Sequence, residues 1–198
     1  SAGAPPIAGE PRVASERMQV FPLHRAGQKL SSGQKLSGGQ GPRGEVRWDP
    51  AAPHPTFTVV SPAVRIAAGA IAGRTIQLGD VGVTVGQLPR GDASIALVAL
   101  DGLALEQSKK ILLVAVARVE NTGMAFNADR TGISSWGHAP ALCEYVPLTV
   151  TFPWPQLRAE RLDSAGNFAG EIPVGDGAGG QRVLRLEHQP SLWFLLHK

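Results

Sequence analysis

The chain has 198 residues, with 19 Lys and Arg side chains against 16 Asp and Glu side chains. The resulting net charge of +3 is small, and the basic residues are poorly interleaved with aromatic residues. No nucleic-acid partner is therefore expected. No apolar run approaches the roughly 18 residues of a transmembrane helix, so no membrane partner is expected either. The length suffices for one domain that is stable without disulfides, and the single cysteine, Cys143, is predicted to be a buried thiol.

Residues 1–44 differ in composition from the rest of the chain, because Pro, Gly, Ser and Gln dominate them. A six-residue unit occurs twice within this segment, at 27–32 and at 33–38. Two copies are too few for a repeat architecture, whereas the composition is typical of linkers. We therefore predict an extended N-terminal arm over 1–44, followed by one folded domain over 45–198.

The rest of the chain alternates short β-favouring runs with turn signals rich in Gly, Pro and Asp. Spacings of about ten residues between such runs are typical of a sandwich or barrel. We predict an all-β domain, an antiparallel β-sandwich of about 10 to 11 strands. The candidate strands are 57–60, 63–67, 75–78, 81–85, 94–100, 111–119, 145–152, 157–162, 168–174, 182–186 and 192–196.

The segment from 120 to 137 concentrates the polar side chains of the domain. It follows an aliphatic run at 111–119 that suits a strand buried on both faces. Its hydrogen-bonding groups are too many for a plain hairpin connection of a few residues, so we predict a long loop. Such a loop is either a binding feature or a structure held by its own hydrogen bonds. Its polar residues and its tryptophan are Glu120, Asn121, Asn127, Asp129, Arg130, Ser134, Ser135 and Trp136.

Several aromatic side chains are candidates for contact with a sugar, because a flat ring packs against the CH face of a pyranose. Trp136 lies in the polar loop, and Trp154 lies between two prolines that favour a position off the sheet. An alternative for Trp136 is packing beneath the loop or against a neighbouring domain. The predicted carbohydrate-binding residues are Trp136, Trp154, Tyr145, Asn127, Asp129 and Arg130.

The spacing of Asn127, Asp129, Thr131 and Gly132 matches the first half of a calcium-binding loop. The twelfth position of that loop, which a bidentate Glu should occupy, is His138, so an EF-hand is excluded. A looser structural calcium site at Asp129 is the alternative. No other cofactor is predicted.

Glu120 and Glu144 form the one carboxylate pair that suggests glycosidic hydrolysis, which requires two carboxyl groups across the scissile bond. They lie near each other if the strands that they adjoin are paired. Arg118 or Arg130 is a ready ion-pair partner for Glu120, so we favour a structural role and assign no catalytic residue.

Several short motifs occur in a fixed order along the chain. Residues 118–127 read RVENTGMAFN, and Arg130-Thr131, Trp136-Gly137 and Glu144 follow them. A turn at 99–105 and the element at 44–49, GEVRWD, precede them. Over roughly residues 44–196 this order resembles the C-terminal β-rich domain of a group of large bacterial glycoside hydrolases, with its ENTGM-x-[WF]-N motif.

The resemblance implies a non-catalytic accessory domain that supports polysaccharide degradation. It implies a catalytic barrel, N-terminal to this domain and outside this chain, as the partner, and it favours an extracellular or periplasmic location. Polysaccharide is a further partner that it suggests. Two alternatives stay open: an independent carbohydrate-binding module that uses Trp136 or Trp154, and an autonomous glycosidase that uses Glu120 and Glu144.

Overall fold

A computed structural model describes residues 44–49 and 52–198 of the chain. Within these residues no α-helix occurs, and every paired strand runs antiparallel to its partner. The predicted all-β, antiparallel class is therefore confirmed. The arm predicted over 1–44 lies, except for Gly44, outside the described residues, and the domain boundary there stays a prediction.

The described part of the chain forms 17 strands, six more than the candidate strands. Four of the six lie between residues 117 and 144, one is β1, and one arises because the predicted strand at 168–174 is divided into two. The strands are β1 Glu45–Asp49, β2 Thr56–Val60, β3 Val64–Ala70, β4 Thr75–Leu78, β5 Val81–Val85, β6 Asp92–Ala99, β7 Lys110–Val116, β8 Val119–Thr122, β9 Ala125–Phe126, β10 Ile133–Ser135, β11 His138–Cys143, β12 Leu148–Phe152, β13 Arg158–Leu162, β14 Phe168–Ile172, β15 Val174–Asp176, β16 Arg182–Arg185 and β17 Trp193–His197.

Two sheets form the body of the domain. The larger sheet has eight strands in the order β1-β2-β3-β6-β7-β17-β13-β14, and the smaller has five in the order β15-β16-β12-β5-β4. Side chains alternate between buried and less buried positions along β7 and β12, as expected where one face of each sheet covers a core. Phe152 of the small sheet and Phe194 of the large sheet are among the largest fully buried side chains of that shared core.

A buried arginine connects the two sheets. Arg65 of β3 is 6% exposed, and its Nε donates a hydrogen bond to the carbonyl oxygen of Leu78, at the end of β4, over 3.1 Å. The guanidinium group also contacts Asp80 at 3.5 Å. A buried charge that is hydrogen-bonded in this way fixes the relative position of the strands that it joins.

The central strand β7 is shorter than predicted. It spans Lys110–Val116 rather than 111–119, and its residues alternate between buried and half-buried instead of being buried on both faces. The reason is that the chain leaves the large sheet after Val116, and the next strand, β8, belongs to a separate two-stranded ribbon.

Trp154 lies just after β12 and outside the strands, as predicted, but its side chain is in the core, so the expectation that it is a sugar platform is wrong. Its side chain is 5% exposed and stacks on Phe152, with ring centroids 4.7 Å apart and an interplanar angle of 23°. The Lys198 ammonium group lies 3.9 Å from the centroid of the Trp154 ring. Although Pro153 and Pro155 end the strand, the chain between them turns the indole back onto its neighbour in β12.

Candidate functional site

The long loop predicted at 120–137 is part of a β-hairpin, which we call the β-arm, residues 117–144. Its outgoing strands β8 and β9 pair with its returning strands β11 and β10. Backbone hydrogen bonds between Glu144 and both Arg118 and Ala117 close its base. The strands of the β-arm belong neither to the eight-stranded sheet nor to the five-stranded sheet. Every residue of β10 and β11 is exposed. The hairpin therefore presents both of its faces to solvent along β11.

Cys143 ends β11, and this position explains its exposure. The prediction of a buried thiol rested on its apolar neighbours Ala141 and Leu142, but all three side chains are exposed. The apolar run belongs to the β-arm and not to the core, so the usual link between apolar company and burial fails here.

The tip of the β-arm, residues 127–132, is held by its own hydrogen bonds. The Asn127 side chain accepts from the Gly132 amide over 2.9 Å, and the Asp129 Oδ1 atom accepts from the amide of Thr131 over 3.0 Å and from its hydroxyl over 2.8 Å. The Thr131 amide and hydroxyl hold the pKa of Asp129 below its ordinary value. Arg130 completes the turn with a φ of 58°.

These hydrogen bonds account for the spacing that suggested a calcium loop, because the Asn127, Asp129 and Thr131 side chains bond to one another and to the turn. No cluster of three or more His, Cys, Asp or Glu side chains that could hold a metal occurs in the described residues. The predicted calcium site at Asp129 therefore gains no support from the geometry of the tip.

Trp136 and Gly137 form the short connection between β10 and β11. The Asn121 side-chain amide donates to the Trp136 carbonyl oxygen over 3.0 Å. Gly137 follows with a φ of +68°, and a Cβ atom there would collide with the Thr122 carbonyl oxygen and lie 2.6 Å from the Met124 nitrogen. This close approach requires glycine. The Trp136 side chain is 69% exposed, so it does not pack beneath the hairpin.

Charged groups fasten the β-arm to the body of the domain. Glu120 contacts three guanidinium groups, those of Arg90 at 2.5 Å, Arg118 at 3.7 Å and Arg130 at 3.9 Å. Arg90 lies outside the β-arm, between β5 and β6. Two of these arginines also form cation–π contacts with one ring: the Arg90 and Arg130 guanidinium carbons lie 5.4 and 4.3 Å from the centroid of Phe126.

The predicted ion pairs of Glu120 with Arg118 and Arg130 are therefore confirmed. Arg118 also lies 3.7 Å from Glu144, so it bridges the two carboxylates that suggested glycosidic hydrolysis. β8 and β11 pair, and Leu142 lies directly opposite Glu120. Glu144 follows Leu142 by two residues, so the strand pairing brings the two glutamates to the same end of the hairpin. Because guanidinium groups occupy both carboxylates, the arrangement supports a structural role.

Replacing Glu120 with Gln should loosen the β-arm without unfolding the domain. The variant loses the charge that attracts three guanidinium groups, which we expect to weaken the β-arm by about 1 kcal/mol. Amide hydrogens of β8 and β11 should then exchange faster, with a Tm nearly unchanged, in hydrogen-exchange mass spectrometry. The control is Glu171→Gln on β14, an exposed glutamate that forms no ion pair with any residue that the structure describes. Equal exchange rates in wild type and Glu120→Gln would contradict a fastening role for this carboxylate.

Large apolar side chains are exposed along the β-arm. Val119 and Leu142 are each more than half exposed, Trp136 still more so, and Ile133 is just over a third exposed. Val119 lies opposite Cys143 and Leu142 lies opposite Glu120, so adjacent pairs place apolar groups on both faces of the hairpin. A protruding hairpin with this much exposed apolar surface is typical of an interaction element.

A cavity lies where the β-arm returns to the body. It has a volume of about 390 Å³, and its walls include Cys143 at the end of the β-arm, Tyr145 just after the β-arm and Trp193 from β17. Asp163 and Ser164, in the turn after β13, line its other side. Of the predicted sugar-binding residues, only Tyr145 lines this cavity.

The apolar neighbours of Trp193 in the run at 192–196 predict a core position, but its side chain is only half-buried. Alternation along β17 explains this burial. Phe194 and Leu196 are buried, so Trp193 points to the other face of the sheet.

Comparison with protein-family models, with curated proteins and with solved structures finds no match to this chain. The resemblance to glycoside hydrolase domains therefore stays a prediction. Among the described residues, no helix has the length and apolar character needed to cross a membrane.

Proposed function

We propose that this chain is a non-catalytic accessory β-sandwich domain of a glycoside hydrolase, and that its β-arm docks on the catalytic domain of that enzyme. The observation that carries the proposal is the exposed apolar surface of the β-arm, centred on Trp136. The assembled enzyme would act on polysaccharide, as the resemblance implies.

The β-arm combines apolar surface with a fixed shape, and both properties favour docking. Three features fix the hairpin before it meets a partner: the Glu120 ion pairs, the hydrogen-bonded tip at 127–132 and the close backbone approach at Gly137. A fixed hairpin loses little conformational entropy on binding. An exposed tryptophan on such a support is the residue type that most often dominates the energy of a protein interface.

The motif that carries the family resemblance coincides with the β-arm. Residues 118–127 form β8, the following turn and β9. Within this motif Asn121 holds the Trp136 carbonyl group, and the backbone of Asn121 also accepts the Met124 amide. The ordered motifs thus specify the shape of one protruding hairpin, which supports the idea that the hairpin is the shared element of the family.

A second candidate function is an independent carbohydrate-binding module. The observation that favours it is the exposed indole of Trp136, since a free aromatic face stacks on a sugar ring as readily as it fills a protein pocket. Trp154 cannot contribute, because it is buried against Phe152.

The test is to read the gene upstream of the Ser1 codon, express any catalytic domain encoded there, and measure its binding to this chain by calorimetry. We expect a barrel-type glycoside hydrolase domain, a complex of micromolar affinity or better, and no hydrolysis of chromogenic glycosides by this chain alone. In parallel, pull-down with insoluble cellulose and xylan tests the module. Retention on a glycan without binding to the catalytic domain, or the absence of any catalytic domain, would overturn the proposal.

A further inference from the structure

We propose that the cavity at the base of the β-arm is a binding site for a neutral pyranose ring of a glycan. This site is distinct from the docking surface around Trp136, which does not line the cavity. Its volume of about 390 Å³ lies within the range of roughly 300–1,000 Å³ that is typical of small-molecule sites.

The walls of the cavity supply the apolar contacts that a sugar ring needs. Tyr145 is 38% exposed, and Trp193 is half-buried on the outer face of β17. Both aromatic residues line the cavity, together with Leu162 and Leu192. Aromatic rings bind the CH faces of pyranoses, whose hydroxyl groups then lie at the edges of the contact.

Polar groups around the same cavity have no partner within the described residues. The Tyr145 hydroxyl, the Ser164 hydroxyl and the Trp193 indole N–H each lack a hydrogen bond there. The Ser191 hydroxyl, by contrast, is already engaged, because it donates to the Leu162 carbonyl oxygen over 2.7 Å. Free hydroxyl and indole groups beside aromatic walls match a ligand that carries both CH faces and hydroxyl groups.

The charge at the cavity indicates a neutral ligand. The one ionisable carboxylate in its wall is Asp163, whose oxygens accept hydrogen bonds from the Ala165 and Asn167 amides and the Asn167 side chain. The Asn167 amide is the main group that holds the pKa of Asp163 below its ordinary value. The wall thus carries a negative charge at neutral pH and contains no Lys or Arg, so uronate or sulfated sugars are disfavoured.

Cys143 makes the site measurable. It is the single cysteine of the chain, it is exposed, and it lines the cavity. A ligand in the cavity should therefore shield its thiol from a reagent such as Ellman's reagent, whose reaction releases a coloured thiolate. Neutral gluco-, xylo-, manno-, galacto- and arabino-oligosaccharides are tested one at a time, with oligogalacturonate as the charged comparison.

We expect at least one neutral oligosaccharide at millimolar concentration to slow the reaction several-fold and saturably, and oligogalacturonate to have no effect. Tyr145→Ala should abolish this protection, and Ser164→Ala should weaken it, with circular dichroism confirming that both variants are folded. Trp48→Ala is the matched control and should retain protection, because Trp48 is an exposed aromatic residue on β1, at the opposite edge of the eight-stranded sheet, and does not line the cavity. The assay contains no catalytic domain, so failure of the docking proposal would leave this result intact. The inference is overturned if no neutral oligosaccharide protects Cys143, or if protection persists in both Tyr145→Ala and Ser164→Ala.

Discussion

Trp154→Ala should lower the free energy of unfolding by about 3 to 5 kcal/mol, the usual cost of truncating a large buried aromatic side chain. The indole is 5% exposed, and its removal leaves a cavity against Phe152, which is itself fully buried. The Lys198 ammonium group also loses the ring beneath it. Urea denaturation, with a common slope for wild type and variant, measures the difference.

Trp136→Ala is the matched control for this measurement, because it removes the same side chain from a site that is 69% exposed. Surface substitutions of this kind usually change stability by no more than about 0.5 kcal/mol. If the two variants lost similar stability, the assignment of Trp154 to the core and of Trp136 to the surface would be contradicted.

Trp136→Ala should instead weaken binding to the catalytic domain. An interface tryptophan at the centre of a contact commonly contributes about 2 kcal/mol or more, so the Kd should rise about 30-fold or more. The physical reason is that the indole provides the largest exposed apolar side chain of the β-arm. Gly137 and Asn121 hold the connection that carries it in place. Isothermal calorimetry on the variant, whose Tm should equal that of wild type, gives the change in affinity.

Phe168→Ala provides the control for that experiment. Phe168 is also a large exposed aromatic residue, at 62%, but it lies on β14 at the edge of the large sheet. Its removal should leave the affinity for the catalytic domain within the error of the measurement. A rise in Kd for Phe168→Ala equal to that for Trp136→Ala, or no rise for either, would mean that the docking surface is not the β-arm.

Much of the body of the domain could be predicted from sequence, because its strands follow simple rules. Residues that alternate between apolar and polar, bounded by Gly, Pro and Asp, form strands in which one face covers a core. β5, β12 and β16 are examples. β5 has its predicted range, β16 ends one residue before its predicted end, and β12 begins three residues after its predicted start.

The β-arm could not be predicted in the same way. β9 has two residues and β10 has three, too few for any periodicity to be visible. The shape of the β-arm also depends on hydrogen bonds between residues that are distant in sequence, such as the one from Asn121 to the Trp136 carbonyl group. The polar composition of the segment indicated a self-bonded structure, but only the geometry shows that it is a hairpin with exposed apolar residues.

The burial of individual tryptophan and cysteine side chains also could not be predicted from the sequence. Trp154 is flanked by prolines that suggest exposure, yet the chain turns its ring into the core. Cys143 has apolar neighbours that suggest burial, yet it lies on an exposed hairpin. In both cases the direction in which the backbone leaves its strand decides the environment, and local composition does not encode that direction.

The most direct test of the central claim is hydrogen exchange of this chain, free and in complex with the catalytic domain. If the β-arm is the docking element, amides of β10 and β11 should exchange more slowly in the complex, while the five-stranded sheet keeps its free-state rates. Protection that appears on the five-stranded sheet or on the outer edge of the large sheet, with exchange in β10 and β11 unchanged, would contradict the proposal.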